Sequence, residues 1–402
     1  MFKEIEACRI CKSKKLKEIL NLGKQYLTGI FPLPGEEINK SPLVLMRCPS
    51  CGLVQLKHTY NLEEMYGYGY GYRSSLNSSM VDHLKEVVYN IEKRSNLSDT
   101  DIVLDIGSND GTTLAQYSTG EKIGIDPTAE KFAGHYKPDI KVFPEFFPSK
   151  NLSDYLQGRK VKVITSIACF YDLEDPVCFA RHIEELLAPD GIWLTEQSYL
   201  PSMIRSLAYD TVCHEHLEYY GLQQIKLIAD HAGLKIIDVS LNDINGGSFA
   251  VTLAKKDSLY KENKNLINTI LYFEEKWDNE AVFKEFKQKV VSHRNKIKIF
   301  LEILRGSGYK IAGYGASTKG NVLLQFCGIS PELVYCIAEV NIDKFDSVTP
   351  GTGIPVLPEG KVKETKPDFF LVLPWHFKEN ILARHKERDF KFIFPLPEIK
   401  VV

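Results

Sequence analysis

Residues 105–111 constrain the fold of this 402-residue chain more than any other segment. They read Asp-Ile-Gly-Ser-Asn-Asp-Gly and follow the apolar run Ile102-Val103-Leu104. A buried strand that enters a glycine turn and then a helix opens the nucleotide site of many α/β domains. Glycine at positions 107 and 111 lets the backbone bend tightly and approach a ligand that a Cβ would meet. The segment therefore predicts an α/β domain with its ligand at this turn.

The next predicted strand, residues 122–126, ends in an acid. Asp126 is placed to accept hydrogen bonds from ribose hydroxyls, whereas the turn lacks the Gly-x-Gly-x-x-Gly spacing that binds a pyrophosphate. An adenosine ligand without phosphates fits better. The pattern resembles the first motif of class I S-adenosylmethionine-dependent methyltransferases; the alternative is a glycine turn in another α/β domain. The resemblance implies cofactor contacts from seven residues: Asp105, Gly107, Asn109, Asp110, Gly111, Asp126 and Pro127.

Length and composition exclude several classes of protein. A chain of 402 residues is too long for one core, so we expect two or three domains. With 44% apolar residues, 25% charged residues and a net charge of -2, it resembles a soluble globular protein and gives no reason to expect nucleic acid as a partner. We find no apolar stretch of membrane-spanning length, and residues 1–6 lack the apolar core of a signal peptide. We therefore expect a cytoplasmic protein that binds no membrane.

Two Cys-x-x-Cys pairs near the N-terminus predict a metal site. Nine cysteines, an odd number, argue against a disulfide framework in such a chain. Four thiolates can close a tetrahedron around Zn²⁺, and a site without an open position is structural. We expect the metal to hold together a lobe of residues 1–62; two unrelated cysteine pairs, or a redox motif, are the alternatives. The predicted ligands are Cys8, Cys11, Cys48 and Cys51.

Tyrosine and glycine alternate between residues 66 and 72, and Arg-Ser-Ser follows. Aromatic surface, phenol groups and a mobile backbone suit a loop that covers a ligand. A stiff linker whose rings pack on the next domain is the alternative. The sequence does not decide between them.

Residues 63–262 read as the methyltransferase domain. Strand patterns at 141–143, 161–166 and 191–196 alternate with helical ones at 80–91, 176–187 and 222–232. Two further runs, 234–239 and 248–254, are joined by Asn245-Gly246-Gly247. A parallel sheet closed by an antiparallel hairpin is the arrangement of class I methyltransferases. Ligands of such sheets bind beyond the carboxyl ends of the strands.

Residues 263–402 read as a helical linker and a second α/β unit. Apolar residues recur at helical spacing from 266 to 304, which predicts a helix pair or one long bent helix. A strand at 309–312, a glycine-rich turn at 313–320 and a helix at 321–327 follow, with further strands at 334–338, 369–373 and 391–394. A basic residue in such a turn, here Lys319, suits a phosphate or diphosphate. A structural turn with a solvated lysine is the alternative.

Residues 213–217 read Cys-His-Glu-His-Leu and follow the fifth predicted strand. His214, Glu215 and His216 thus bring titratable groups to the ligand end of the sheet, where an acid or a base is needed. Histidine changes charge near neutral pH and can accept a proton or donate to an enolate oxygen. A metal site on the two histidines, or a buried hydrogen-bond network that holds the loop, are the alternatives.

Taken together, these segments resemble the zinc-containing sugar C-methyltransferases, which act on nucleotide-linked keto-deoxysugars. The resemblance covers essentially the whole chain. It implies a zinc lobe, a central S-adenosylmethionine domain of class I (Rossmann-like) fold and a C-terminal Rossmann-like domain, with a nucleoside-diphosphate keto-sugar held between domains. The segments that carry it are the two cysteine pairs, 72–75, 105–111, 213–217, 245–248 and 313–328.

The same resemblance implies residue roles. His216 and Glu215 transfer the proton, and Tyr72 reaches the sugar. Many relatives carry Tyr where Cys213 stands, and a His near Tyr171 or Asp172. Asp172 is therefore a further candidate acid or base, or else a hydrogen-bond acceptor beside a helix. Catalytic candidates are His214, Glu215, His216, Tyr72 and Asp172; substrate-binding candidates are Tyr70, Cys213, Asn245, Gly315, Ala316, Ser317, Lys319 and Asn321.

The expected reaction moves methyl from S-adenosylmethionine to the carbon next to the ketone of a nucleoside-diphosphate 4-keto-deoxysugar, through an enolate that a base generates. We expect a monomer or small homo-oligomer. One alternative is a non-catalytic nucleotide-sugar-binding protein with a degenerate methyltransferase fold. Another is an oxidoreductase that binds NAD at the C-terminal glycine turn, although that domain is small and shows no clear ribose acid.

Overall fold

The computed structural model describes residues 2–66 and 71–402, and it forms a mixed α/β protein. Four sheets are present in these residues, of two, four, six and seven strands. No described helix combines the length and the apolar composition that crossing a membrane requires.

The N-terminal part is built on antiparallel strands. In the four-stranded sheet, β2 pairs with β3 and β3 with β4, while β1 and β5 form a separate pair. Its elements are β1 (Phe2–Glu4), β2 (Lys17–Tyr26), β3 (Lys40–Arg47), β4 (Val54–Leu56), β5 (His58–Tyr60) and the short helix α1 (Leu62–Met65).

The central part contains the seven-stranded sheet. Its elements are α2 (Ser78–Ser95), β6 (Ile102–Ile106), β7 (Glu121–Ile125), β8 (Ile140–Phe143), α3 (Lys150–Leu156), β9 (Val161–Ile167), α4 (Pro176–Leu186), β10 (Leu187–Ser198), α5 (Leu200–Arg205), β11 (Glu218–Tyr219), α6 (Leu222–Ala232), β12 (Leu234–Asn242) and β13 (Ser248–Lys255). The sheet order is β12-β13-β10-β9-β6-β7-β8. Only β13 pairs antiparallel with both of its neighbours. The predicted parallel sheet closed by an antiparallel hairpin is confirmed.

The C-terminal part begins with two helices and ends in a six-stranded sheet. Its elements are α7 (Lys264–Trp277), α8 (Glu280–Gly306), β14 (Ile311–Tyr314), α9 (Thr318–Cys327), β15 (Ile337–Glu339), β16 (Val356–Pro358), α10 (Glu359–Glu364), β17 (Phe369–Val372), α11 (Lys378–Arg384), β18 (Lys391–Phe394) and β19 (Lys400–Val401). The sheet order is β16-β15-β14-β17-β18-β19, parallel except for β19. The helix pair expected between 266 and 304 is present.

One prediction about the cofactor turn is wrong. We expected a helix directly after Gly111, but the structure has a single 3₁₀ turn at Leu114–Gln116 before β7 begins at Glu121. The connection between Gly111 and β7 is short, which leaves little room for a helix. The turn therefore presents its backbone to a ligand without a helix N-terminus behind it.

The N-terminal part lies between the two α/β sheets and shares a core with each. Buried side chains of the cysteine loops, among them Ile10 and Leu53, pack in one cluster with the seven-stranded sheet. Side chains of β2 and β3, such as Leu20 and Leu45, pack in another cluster with the C-terminal sheet. The predicted boundaries at 62 and 262 stay a prediction.

A strand from the central part completes the N-terminal sheet. β11 pairs antiparallel with β4, with Glu218 opposite Gln55, and Leu56 N–H donates to the Leu217 carbonyl at 2.8 Å. Arg9, buried in the first cysteine loop, has its Nε 3.6 Å from Glu218 Oε1 and donates to the Leu56 carbonyl at 2.7 Å. Burial raises the pKa of Glu218 well above its usual value, and the charge of Arg9 opposes that rise. The ion pair thus ties the cysteine loop to β11.

We predict that Arg9→Met lowers the free energy of unfolding by about 3–5 kcal/mol, because it leaves a buried carboxyl group without its cation. Adding Glu218→Gln restores part of this loss, since it replaces the carboxyl group that has lost its partner with an amide that is always neutral. Urea denaturation followed by circular dichroism measures the effect. Lys226→Met, which breaks an exposed pair with Asp230, is the control and costs about 0.5 kcal/mol or less. Equal losses in Arg9→Met and Lys226→Met would contradict the assignment.

Candidate active site

The glycine turn after β6 is shaped by contacts from the neighbouring strands. Asp105, at the end of β6, accepts a hydrogen bond from Thr165 Oγ1 at 2.5 Å, and burial raises its pKa to about 7. Gly107 has a positive φ of 75°, and a Cβ there would lie 2.9 Å from the Cβ of Cys169. Glycine therefore fits this position best, because the turn packs closely against Cys169 and adopts a left-handed conformation.

Asp126 stands at the end of β7 beside this turn. Its Oδ2 accepts from Asn109 N–H at 2.9 Å, and its Oδ1 accepts from the N–H and the hydroxyl of Thr128 at 2.7 and 2.6 Å. A carboxylate offers about four acceptor sites, so three donors leave one for a ribose hydroxyl. The glycine turn and this remaining acceptor fit an adenosine group. Pro127, which follows directly, is half-buried.

The segment after the tyrosine–glycine run lies on the cofactor turn. Asn109 Oδ1 accepts from Ser74 N–H at 3.1 Å, and Asn109 Nδ2 donates to the Tyr72 carbonyl at 3.1 Å. Asp110 Oδ2 accepts from Ser75 N–H at 3.1 Å. Asn109 and Asp110 therefore hold a covering segment, whereas we predicted them to bind the cofactor. Those cofactor contacts stay a prediction.

Tyr72, which we predicted to contact the sugar, lies at the edge of this segment. Tyr72 is 47% exposed. It follows Gly71, whose carbonyl accepts a hydrogen bond from Asn341 Nδ2 at 3.3 Å. The segment thus bridges the central and C-terminal parts, and its role as a cover for a ligand stays a prediction beside the alternative of a linker. Tyr70 lies outside the described residues.

The four predicted metal ligands come together. Their Sγ atoms all lie within 4.8 Å of one another, with Cys8 and Cys51 at 3.5 Å and Cys11 and Cys48 at 3.5 Å. A tetrahedron with Zn–S bonds of about 2.3 Å has edges of about 3.8 Å, so the four thiols fit a zinc ion. Four cysteines leave no open position, which makes the site structural.

The two cysteine loops have the same backbone. In each, the first cysteine carbonyl accepts from the N–H of a left-handed residue four positions on, Lys12 or Gly52. Gln224 Nε2, from α6, donates to the Cys51 carbonyl at 2.9 Å. The loops are therefore repeats of one turn, and the second is fastened to the central part.

His214 points away from the ligand end of the sheet. Its ring is fully buried against Tyr60, with a centroid distance of 4.8 Å. Nδ1 lies 3.4 Å from Thr28 Oγ1 and Nε2 lies 3.3 Å from the Ser41 carbonyl. Burial lowers its pKa to about 4. The predicted acid or base role of His214 gains no geometric support from this placement, which suits the alternative of a structural hydrogen-bond network.

His216 has the geometry of a base. Its Nδ1 lies 2.9 Å from the Thr211 carbonyl, and because a carbonyl only accepts, Nδ1 carries the proton. Nε2 is then the lone-pair nitrogen. Burial, followed by the charge of Lys319, lowers the pKa to about 3, so the ring is neutral near pH 7. The Tyr171 ring packs against it with a centroid distance of 4.3 Å.

Two carboxyl groups accompany His216. Asp172 Oδ2 accepts from the Tyr66 hydroxyl at 2.6 Å, and burial, with nearby Glu215, raises the Asp172 pKa well above its usual value. Burial also raises the pKa of Glu215, whose side chain lies against Gly29. Asp175 rather than Asp172 caps α4, since Asp175 Oδ1 accepts from Cys178 N–H at 3.0 Å. Asp172 is thus not the cap of that helix.

Cys213 is fully buried, and burial raises its pKa well above the usual value, so the thiol is neutral. The second cause of the rise is the charge of Glu215. Cys213 therefore fills space beside the acidic groups, and its predicted substrate contact stays untested.

The C-terminal glycine turn meets the 245–247 turn. Lys319 Nζ donates to the Asn245 carbonyl at 2.9 Å, so two of the predicted substrate residues are in contact. Ser317 Oγ accepts from Gly320 N–H at 3.0 Å and caps α9. Gly315 has a φ of 79° and packs under Pro374, where a Cβ would lie 2.8 Å away. The turn is thus close-packed, with its lysine aimed at the central part.

Two predicted substrate residues make protein contacts instead. Asn321 Nδ2 donates to the Thr28 carbonyl at 2.8 Å, and the side chain is fully buried. Ala316 N–H donates to Glu339 Oε2 at 2.6 Å. Their contacts with a substrate stay a prediction.

Three residues near the site had no role in the sequence interpretation. Glu339 ends β15 and accepts from Ala316 N–H in the neighbouring turn, just as Asp126 accepts from Asn109 N–H. The C-terminal domain therefore contains an acid at the end of its second strand, where the sequence showed no clear ribose acid. Asp210 and Trp375 hydrogen-bond across the two α/β parts at 2.7 Å. The signal for Glu339 and Trp375 was their position just at or after a strand end.

A metal on the two histidines is not supported. A shared ion needs at least three Cys, His, Asp or Glu side chains with donor atoms close together. Among residues 2–66 and 71–402, the group that meets this condition consists of the four cysteines. His214 faces the N-terminal sheet, and His216 bonds to a backbone carbonyl.

Three family models match successive stretches of the chain. Their descriptions are "Putative zinc binding domain" for residues 8–66, "Methyltransferase domain" for 79–239 and "C-methyltransferase C-terminal domain" for 243–397. The curated protein C-methyltransferase NovU of Streptomyces niveus is 26% identical over 413 residues, a match that covers 99% of this chain and 97% of NovU. The three stretches follow the order that the sequence predicts.

Solved methyltransferase structures match less than half of the chain. The CcbJ methyltransferase of Streptomyces caelestis is 15% identical, with a TM-score of 0.33, and the match covers 43% of this chain and 89% of CcbJ. The plantazolicin methyltransferase BpumL, solved with S-adenosylhomocysteine, is 13% identical, with a TM-score of 0.35, and the match covers 44% of this chain and 88% of BpumL.

We predict that Asp126→Ala weakens S-adenosylhomocysteine binding by about tenfold or more, because a ribose hydroxyl and the Asn109 N–H both lose their acceptor. Isothermal titration calorimetry gives the dissociation constant. Asp139→Ala is the control, since this exposed carboxylate pairs with Lys122 at the other end of β7. An unchanged dissociation constant in Asp126→Ala would mean that the ribose contact is misplaced.

Proposed function

Because this chain belongs to the zinc-containing C-methyltransferases that use S-adenosylmethionine, we propose that it methylates the carbon next to the ketone of a nucleoside-diphosphate 4-keto-deoxysugar. The proposed reaction passes through a sugar enolate that His216 generates. The observation that carries the proposal is the neutral His216 ring, whose Nδ1 proton is held by the Thr211 carbonyl while Nε2 keeps its lone pair.

A base is needed because a C–H next to a ketone is only weakly acidic. His216 has three geometric features that suit this role: a lone pair on Nε2, a ring held by Tyr171 and Thr211, and a half-buried position. Its Nε2 takes the proton from the sugar carbon. The electron pair of that C–H bond then moves into the enolate.

Protonated carboxyl groups support the enolate oxygen in this proposal. The raised pKa values of Asp172 and Glu215 mean that each can carry a proton and donate a hydrogen bond. Asp172 is the stronger candidate, since Tyr66 already donates to one of its oxygens and the other has no hydrogen-bond partner among residues 2–66 and 71–402. In this proposal Asp172 serves where many relatives carry a histidine.

S-adenosylmethionine, when bound, supplies an electrophilic sulfonium methyl group, and zinc ties the N-terminal loops together. The residues that would hold the cofactor are those of the turn at Gly107 and Asp126, whose carboxylate has one acceptor site free. The covering segment at residues 72–75 lies on this turn through its hydrogen bonds to Asn109 and Asp110.

The substrate diphosphate is assigned in this proposal to the C-terminal glycine turn. Lys319 is half-buried there, and burial lowers its pKa, so an anion that stabilises its charge is favoured. Lys344 is a second cation at the turn, where its Nζ donates to the Ala316 carbonyl at 2.8 Å. Cytoplasmic location and a monomeric or small oligomeric state stay predictions.

We predict that His216→Ala lowers kcat by about 100-fold or more, the usual contribution of a positioned base. The assay offers a panel of nucleoside-diphosphate 4-keto-deoxysugars with S-adenosylmethionine in D₂O, and mass spectrometry follows methyl transfer and deuterium uptake next to the ketone. Both are lost together in His216→Ala, whereas exposed His231→Ala keeps them. Deuterium uptake that persists in His216→Ala would move the base to Asp172. Cofactor binding by the wild type without methyl transfer to any sugar in the panel would favour the non-catalytic alternative.

We predict that kcat/KM stays near its maximum well below pH 6.5, because the base is still unprotonated there. A base acts only when unprotonated, so kcat/KM falls as pH falls through its pKa, and for His216 that value is about 3. Removing a nearby positive charge raises the pKa of a histidine, so Lys319→Met moves the acid limb of kcat/KM to higher pH. Lys226→Met on the surface of α6 leaves the limb in place. A wild-type limb already near pH 6.5, or one that Lys319→Met does not move, would contradict the role of His216.

A further inference from the structure

The turn that precedes the Cys-His-Glu-His segment is held by the C-terminal part. This 3₁₀ turn, Tyr209–Thr211, is buried. His293 Nε2 lies 2.7 Å from the Pro395 carbonyl and therefore carries the ring proton, which leaves Nδ1 to accept from the Tyr209 hydroxyl at 3.0 Å. The C-terminal part thus holds Tyr209, the first residue of the turn, through a hydrogen bond in which the tyrosine donates and the histidine accepts.

The second residue of the turn, Asp210, also forms a hydrogen bond with the C-terminal part. Trp375 Nε1 donates to Asp210 Oδ2 at 2.7 Å, and Asp210 is 1% exposed. Burial raises the pKa of Asp210, while the charge of Lys319 and the indole hydrogen bond oppose that rise. A buried carboxylate that loses a donor is costly, so this contact resists separation of the two parts.

The third residue of the turn is Thr211, whose carbonyl accepts the Nδ1 proton of His216 at 2.9 Å. A neutral imidazole carries its proton on one nitrogen, and the hydrogen bond at Nδ1 decides which. A displacement of the Tyr209–Thr211 turn would move this carbonyl. The tautomer and orientation of His216 therefore depend on how firmly the turn is held.

We propose that Trp375 and Asp210 form a positioning pair through which the C-terminal part sets the ring tautomer of His216. The inference rests on the proposed role of His216 as base. Pro374, directly before Trp375, packs against Gly315 in the turn that carries Lys319. The segment that holds Asp210 is therefore continuous with the turn assigned to the substrate diphosphate, and one domain fixes both the base and the anion site.

The test uses the full-length protein with ¹⁵N-labelled histidine, without substrate, and His216→Ala identifies the His216 signals. In Trp375→Phe, which removes only the indole N–H and keeps an aromatic ring, the single Nδ1-protonated tautomer gives way to a mixture. In the same variant kcat falls about tenfold or more, as part of the roughly 10²–10⁴-fold that a positioned base contributes. The dissociation constant of S-adenosylhomocysteine stays unchanged.

Trp193→Phe is the matched control, because it also removes a buried indole hydrogen bond, from Nε1 to Ser166 Oγ at 2.9 Å, but within the central sheet. It leaves the His216 signals as in the wild type. Asp210→Asn keeps an acceptor for the indole and retains the single tautomer, whereas Asp210→Ala behaves like Trp375→Phe. Asp210→Asn and Asp210→Ala test the same hydrogen bond from its other side, so the tautomer of His216 can be measured even where Trp375→Phe lowers expression.

His216 signals that are the same in Trp375→Phe, Asp210→Ala and the wild type would overturn the pairing. The NMR measurement needs no sugar, so it separates two failures. A tautomer mixture in the variants supports the positioning pair even where the wild type methylates no keto-sugar, in which case only the proposed function fails.

Discussion

The hydrogen bonds between β11 and β4 are the constraint on which the rest of the site depends. They place Leu217, Glu218 and Tyr219 on the N-terminal sheet directly after His216. A strand two residues long has little stability alone, so the neighbouring Arg9–Glu218 ion pair and the buried His214 ring secure it. His216, the proposed base, thus belongs to a segment that is anchored on the N-terminal sheet.

This arrangement gives the zinc lobe a task beyond its own folding. Its cysteine loops share a core with the seven-stranded sheet, and its longer strands share a core with the C-terminal sheet. Arg9 lies between the two cysteines of the first loop and bonds to the end of β4. Structural zinc contributes folding free energy, so we infer that metal binding stabilises the sheet that holds the base in position.

The sequence was informative where a pattern is local. The strand before Gly107, the acid at the end of β7 and the two cysteine pairs each occupy a few consecutive residues, and each was found. It was uninformative where position depends on distant partners. His214 and His216 are the same residue type two positions apart, and only the pairing of β11 with β4 sends one ring into the N-terminal sheet while the other faces Tyr171. The bond between Asp210 and Trp375 spans 165 residues and leaves no periodic signal.

Hydrogen–deuterium exchange before and after zinc removal tests most directly whether the metal lobe holds the catalytic segment. The protein is treated with a chelator, and exchange is followed by mass spectrometry in peptides that contain β4, β11 and β6. We expect the amides of β4 and β11 to lose protection together while β6 stays protected, and readdition of zinc to reverse the change. Protection of β11 that persists after the cysteine loops have opened would contradict this view of the site.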